Sequence, residues 1–495
     1  MSSLIKNFIS GKSTSTNIAT LLPIYNPATG KKINEVALAT DEEVVAALTA
    51  ANNAFSAWSN TSALKRVRVL FKFKVLLEKH IDEIAKMISL EHGKVIDDAK
   101  GEVMRAIELV EHCCAIPSLL RGSFSENVAT GMDCHSFRQA LGVCVGVTPF
   151  NFPVMVSTWM FIPAIACGNT FILKPSEKDP SSTLFLAQLL QEAGLPDGVF
   201  NVVNGVKHQV DILITAECVK AVACVGSTPV AKYIYETAIL HGKRAQTFGG
   251  AKNHCVIMPD ADLDDAADAL IAAAFGAAGE RCMAISVAVP ITDKVADQLV
   301  EKIKQKMPNL KIAPACDPCS QMGPLISEEH RARVKSYVDL GVQEGAKLIV
   351  DGREAPLKEG FFLGANLFDH VAPTMRIYQE EIFGPVLCVV RQPDLASAID
   401  LINAHPYANG TAIFTCDGAA AREFSSKIQV GMVGINVPIP VPIAYHSFGG
   451  WKQSIFGDIS MHGDEGIRFY TKTKSVTTRW PQNEKLAAVY HMPVN

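Results

Sequence analysis

The chain has 495 residues, too many for one compact core, so two or three domains are expected. With 48% hydrophobic and 19% charged residues it reads as an ordinary globular enzyme, and its formal net charge of −4 argues against a nucleic-acid binder. Met1 to Lys12 has neither the apolar core of a secretory signal nor the arginine-rich pattern of a transit peptide. Thirteen cysteines, an odd number without framework spacing, fit free thiols in a reducing compartment, so a cytoplasmic location is expected.

Asp41 to Ala57 opens with Asp-Glu-Glu and continues with apolar residues at helical spacing, which predicts a helix. Leu64 to Leu90 and Ile96 to Pro117 predict two long helices. Gly122 to Arg138 alternates like a strand with no helical partner beside it. Gln139 to Leu173 carries no charge and is long enough for a membrane helix. Pro149, Pro153 and Pro163 interrupt it, as do Asn151, Gly168 and Asn169. It is therefore read as a buried strand (Leu141 to Val147), a loop, a helix (Val154 to Cys167) and a strand (Thr170 to Leu173), with no membrane span.

Val199 to Val203 and Ala221 to Val225 extend this strand series, with helices between, which is the signal of a parallel sheet. A break near Thr247 to Gly250 starts a second series. Cys255 to Met258, Ser286 to Val289, Leu348 to Val350, Phe383 to Val390 and Thr411 to Thr415 are its strands. Leu263 to Ala278 and Asp293 to Met307 are its first helices. Thr471 to Trp480 is strand-like and stands apart, as Gly122 to Arg138 does.

Two motifs carry most of the chemistry. Phe248-Gly249-Gly250-Ala251-Lys252-Asn253-His254 is glycine-rich, so backbone can approach a ligand closely. Gly279-Glu280-Arg281-Cys282-Met283-Ala284 sets a cysteine after an alanine-rich run and beside an arginine, a cation that favours the reactive thiolate. Cys316-Asp317-Pro318-Cys319 competes as a cysteine motif, but a single C-x-x-C without histidine neighbours is weak evidence for zinc or redox work. No metal site is expected.

Together these motifs resemble the active-site signatures of the aldehyde dehydrogenase superfamily, and the Gly-Ala-Lys-Asn-His form looks like its methylmalonate-semialdehyde dehydrogenase branch. Further motifs recur in the family's order. Pro149-Phe150-Asn151-Phe152-Pro153 resembles the oxyanion loop, Glu380-Glu381-Ile382-Phe383-Gly384-Pro385 the nicotinamide-side motif, and Ser447-Phe448-Gly449-Gly450-Trp451-Lys452 the aromatic wall beside the aldehyde. The resemblance implies an α/β fold of two doubly wound parallel-sheet domains with a small β arm for oligomerisation. Its implied boundaries are an NAD-binding domain at 1–121 and 139–248, a catalytic domain at 249–446, and the arm at 122–138 and 466–485.

A Rossmann G-x-G-x-x-G is absent, so NAD would bind in the family's variant mode. The resemblance assigns Lys174 and Glu177 to the adenosine ribose, Gly226 and Ser227 to the pyrophosphate at a helix start, Glu381 and Phe383 to the nicotinamide side, and Phe150 and Phe152 to the cofactor as well. Cys282 would be the nucleophile, with the Asn151 side-chain amide and the Cys282 N–H as oxyanion donors. Arg105 and Arg281 would pair with a substrate carboxylate, with Phe448 as a wall. The alternative for Arg105 is an ordinary surface ion pair, since Glu102 and Glu108 lie three residues either side on a helix.

The implied reaction is NAD-dependent oxidative decarboxylation of malonate or methylmalonate semialdehyde, with the acyl group passing from Cys282 to coenzyme A. Most family members carry a water-activating glutamate where Phe248 stands here, and Met461 falls near the place of a second base sometimes invoked. The alternatives are a hydrolytic dehydrogenase of another acidic semialdehyde, such as succinate semialdehyde, an acyl-CoA reductase, or a non-catalytic role. The family's homotetramer is expected, with semialdehyde and coenzyme A as the only other partners.

Overall fold

A computed structural model describes residues 4–14, 20–354 and 357–480. Two sheets organise the chain. The first runs, edge to edge, through Ile455–Phe456, Arg244–Phe248, Val219–Val225, Val143–Val147, Thr170–Lys174, Phe200–Val202, Phe8–Ile9 and Lys12–Ser13. Its five middle strands are parallel, and the pieces at both edges are antiparallel. From Val143–Val147 the chain moves outward in one direction through two strands, then returns and moves the other way. The strand order therefore reverses between Val143–Val147 and Val219–Val225, the place where doubly wound sheets bind ligands.

The second sheet runs Lys347–Val350, Asn366–Asp369, Val386–Val389, Ile285–Pro290, Asn253–Ile257, Gly410–Phe414 and Met432–Ile435, and only its first strand is antiparallel. A third, three-stranded sheet pairs Ser123–Ala129 and Thr471–Arg479 with Met132–Ala140. Phe124 and Trp480 are exposed on this arm. A small sheet of Leu4–Ile5, Lys31–Ala37 and Leu21–Asn26 completes the N-terminal region.

Local signals explain most elements. Thr40 and Glu43 form a reciprocal capping box at the start of the helix Asp41–Ser59. The charge-free segment folds into a strand, the helix Met155–Ala166 and a second strand, and all twelve residues of that helix are buried. A helix apolar all round belongs in a core. Among the described residues no helix is long and apolar enough to cross a membrane.

Some expectations shift. The long helix expected over Leu64 to Leu90 is two, Ala63–Lys79 and Ile81–His92, broken at His80. A one-residue break keeps both apolar stripes on one core, so periodicity does not reveal it. The helix expected over Leu263 to Ala278 ends at Phe275, because Ala277 and Ala278 take left-handed conformations at φ 48° and 53°. The strand expected from Phe383 begins only at Val386, since Phe383 itself sits at φ 60°.

The C-terminal arm also starts later than residue 466. Gly463–Phe469 is a helix, with Ile467, Phe469 and Tyr470 packed into the first domain's core, and Ile455–Phe456 is an edge strand of the first sheet. Residues 481–485 of the expected arm lie outside the described residues.

Candidate active site

The carboxyl ends of four adjacent strands of the first sheet carry many of the motif residues. After Val143–Val147 comes the oxyanion-loop motif, while Lys174 ends the strand Thr170–Lys174 and Glu177 follows it. Val219–Val225 is followed by Gly226 and Ser227, and Arg244–Phe248 by the Gly249–Gly250 pair. Lys174 Nζ lies 3.2 Å from Glu177 Oε2. Burial alone would raise the Glu177 carboxyl, but Lys174 holds it below the usual range. Glu177 opens into a cavity of about 530 Å³ lined also by Lys178, Ser327 and Phe361. The Gly226 N–H is committed to the Phe248 carbonyl at 3.0 Å, so Gly226 offers room rather than a donor. Ser227 caps the helix Thr228–Leu240 from an exposed position without a side-chain cap bond. The carboxyl edge of the sheet thus carries a carboxylate at one strand end and an open helix start after another, a donor and acceptor set suited to a dinucleotide.

From the second domain, Cys282 stands between a tight turn, Gly276–Gly279, and the strand Ile285–Pro290. Its carbonyl accepts the side-chain amides of Asn253 at 2.9 Å and Asn409 at 3.2 Å, which fixes the Cys282 backbone. The Cys282 side chain borders two spaces. One is a narrow cleft shared with Ala251, Glu381 and Phe383. The other is a cavity of about 280 Å³ lined by Lys94, Asp98, Arg105, Arg281 and Phe448 among others.

Glu381 accepts the Ala251 N–H at 2.9 Å, and burial pushes its carboxyl up to about 7. Phe383 is held at its strained φ by His330, whose Nε2 lies 2.7 Å from the Phe383 carbonyl oxygen, and the Phe150 ring packs on both. Phe152, expected on the cofactor side, instead lines the cavity beside Cys282, with the Lys94 ammonium 4.2 Å above its ring.

The expectation that Arg281 makes Cys282 a ready thiolate does not hold. The Arg281 guanidinium turns to Asp98. Burial first, and the Glu381 carboxyl second, push the Cys282 thiol up to about 12, with Arg281 the smallest of the opposing influences. Arg105 pairs with Glu108 at 3.0 Å while also lining the cavity. Glu102 is not its partner: that carboxylate is buried, pairs with Lys94 at 2.8 Å, and accepts the N–H groups of Val154 and Met155.

Lys94, Glu102 and the Glu280 carbonyl hold Asn151, and motif reading gave none of them this role. Its carbonyl accepts from Lys94, whose charge Glu102 balances, and its side-chain amide donates to the Glu280 carbonyl at 3.0 Å. One amide hydrogen of Asn151 remains for an oxyanion. The Glu280 side chain points away from Cys282 and accepts the Ile326 N–H. Burial raises its carboxyl to about 8 and lowers the neighbouring His330 to about 4, so their contact is between neutral groups. No short spacing ties this set to Asn151, which lies 57 residues beyond Lys94.

Phe248 and Met461 are both buried in apolar surroundings. The Phe248 ring centroid lies 6.1 Å from that of Phe448, and Phe448 exchanges two backbone hydrogen bonds with Met461. Asp464 and Glu465 begin the following helix, and neither lines the cavity. Cys316 and Cys319 are exposed in the loop before the helix Glu328–Gln343, and all thirteen cysteines are free thiols.

Comparison with known proteins agrees with this geometry. Residues 13–476 match the aldehyde dehydrogenase family. A malonate-semialdehyde dehydrogenase of Pseudomonas aeruginosa is 56% identical over 93% of each chain. The crystal structure of a methylmalonate-semialdehyde dehydrogenase from Oceanimonas doudoroffii is 56% identical, with a TM-score of 0.96 over 97% of this chain and 99% of that one. A Sinorhizobium meliloti protein, crystallised with NAD and provisionally named methylmalonate-semialdehyde dehydrogenase, is 52% identical with a TM-score of 0.96 over 98% and 99%. Fold, motif order and nearly full-length similarity thus coincide, and the chain belongs to the aldehyde dehydrogenase family.

Proposed function

We propose that this protein oxidises malonate or methylmalonate semialdehyde with NAD and transfers the acyl group to coenzyme A. The observation that carries this reading is one cavity in which Cys282, Arg105 and Arg281 meet, a nucleophile beside two guanidiniums suited to a carboxylate. Arg105 and Arg281 hold the substrate's carboxylate and Phe448 walls the cavity. Cys282 attacks the aldehyde carbon as its thiolate, the thiol proton having passed to solvent, and the resulting oxyanion is met by the remaining Asn151 amide hydrogen and the Cys282 N–H. NAD, held by Lys174, Glu177, Ser227 and Glu381, supplies the hydride acceptor when bound.

The oxidised substrate is then a thioester on Cys282. The bond from its α-carbon to the carboxylate breaks, carbon dioxide leaves, and the electron pair passes through the α-carbon to the thioester carbonyl. A proton at the α-carbon restores the acyl group. Coenzyme A thiolate then adds to the carbonyl and the Cys282 thiolate leaves. By family resemblance Phe248 and Met461 stand in place of water-activating carboxylates, and both are buried apolar side chains, which favours a thiol acceptor. Glu381, at about 7 and lining the cleft with Cys282, is what speaks for the hydrolytic alternative.

The arm sheet exposes Phe124, Val128 and Trp480, apolar surface suited to a partner subunit, and a homotetramer follows from the family. Free thiols throughout fit the cytoplasm. Malonate semialdehyde, NAD and coenzyme A supplied together should give NADH and acetyl-CoA in equal amounts, and Cys282→Ala should give neither. NADH formation by Cys282→Ala would remove the nucleophile assignment.

A further inference from the structure

The three cations of the substrate cavity differ in how firmly they are already engaged. Lys94 and Glu102 are 1% and 0% exposed, and both have further hydrogen bonds to the Asn151 carbonyl and to the Val154 and Met155 N–H groups. That pair is part of the scaffold. Arg105 and Glu108 are 38% and 42% exposed, and a pair so open to water holds Arg105 weakly. Arg281 and Asp98 lie between these extremes at 19% and 29%. Both line the cavity with Cys282, and Arg281 immediately precedes the nucleophile.

Two features place Arg281 independently. Asp98 accepts from its Nη2. Gly276 lies flat against its guanidinium: a Cβ added there would come within 2.5–2.7 Å of three guanidinium atoms. The glycine shelf therefore positions the side chain even without Asp98. Asp98 contributes a negative charge at the same guanidinium a substrate carboxylate would seek.

We propose that Asp98 is a specificity-determining residue that competes with the substrate carboxylate for Arg281 and so sets how strongly an acidic semialdehyde is held. This rests on the carboxylate-binding role given to Arg105 and Arg281 above. An arriving carboxylate must displace Asp98 or share the guanidinium with it, and sharing sets two anions side by side. Once carbon dioxide has left, the acyl group carries no charge and Asp98 regains Arg281. A residue that merely positioned Arg281 would weaken acid binding on removal, whereas a competitor strengthens it.

The test is the ratio of KM for propanal to KM for malonate semialdehyde, measured on the full-length enzyme with saturating NAD and coenzyme A. In Asp98→Asn the ratio should rise about five- to tenfold over wild type, the scale of one half-buried charge-assisted contact. Asp98→Ala, which removes the hydrogen-bonding group as well, should move it the same way. A ratio unchanged or lowered in both variants would overturn the proposal. A wild-type ratio near one would instead show that the arginines do not read a carboxylate, and would refute the functional reading on which the proposal rests.

Discussion

Replacing Gly279 by alanine should disable the nucleophile without touching it. Gly279 follows two left-handed alanines, and its own φ is 76°. An L-residue there costs about 1–2 kcal/mol in backbone strain. The larger effect is steric. A Cβ on Gly279 would stand 2.3 Å from the Gly384 carbonyl oxygen, where unstrained heavy-atom contacts need about 3.5 Å. Either the loop carrying Cys282 or the segment carrying Glu381 and Phe383 must therefore move by about 1 Å, a displacement of a reacting group that costs about 10²-fold in rate.

The assay is the pre-steady-state burst of NADH with malonate semialdehyde, which reports steps up to hydride transfer. Gly279→Ala should slow the burst about 10²-fold. Gly194→Ala is the control, because Gly194 has φ 92° with nothing within 4 Å of an added Cβ, so it carries the backbone strain alone. That variant should lose about 1 kcal/mol of stability and keep its burst. A wild-type burst in Gly279→Ala, or equal losses in both variants, would refute the argument that packing of the turn against Gly384 positions Cys282.

Arg105→Leu and Arg281→Leu should each raise KM for malonate semialdehyde about ten- to a hundredfold, the value of one charge-assisted contact, with a much smaller effect on propanal. Equal effects on both substrates would make the arginines structural. Alkylation of the NAD-free enzyme gives a pH test. With its folded thiol pushed up to about 12, Cys282 becomes thiolate only as pH rises, so its alkylation should still be climbing at about pH 10.5, where an unperturbed thiol at about 8.5 has levelled off. Peptide mapping should find the exposed Cys316, Cys319 and Cys416 modified before Cys282 at neutral pH, and a Cys282 rate that levels off below pH 9 would show a thiolate already formed.

The sheets and most helices were legible because their signals are local: the capping box at Thr40, the apolar runs of the parallel strands, and prolines that break a charge-free segment. Motif order brought Cys282, the Asn151 loop and the two arginines forward as candidates through a family resemblance, and Cys282 and both arginines line one cavity. What escaped is non-local or against propensity. Ala277 and Ala278 belong to the best helix-forming residue type, yet tertiary packing bends them into a left-handed turn. The Arg281–Asp98 pair spans 183 residues and Lys94 reaches Asn151 across 57, separations at which no spacing rule operates. Glu102 looked like a surface partner for Arg105 because helical spacing allows both directions, and only burial shows that it faces Lys94.

The central claim is that the thioester on Cys282 is resolved by coenzyme A rather than by water. Steady-state NADH formation from malonate semialdehyde and NAD, measured with and without coenzyme A while the products are separated, tests it most directly. With Phe248 and Met461 buried in apolar surroundings, the account predicts slow turnover after a single burst when coenzyme A is absent. It predicts fast turnover with acetyl-CoA as product when coenzyme A is added. Fast turnover that coenzyme A leaves unchanged, with free acetate as product, would contradict it and point to Glu381 as a water-activating base.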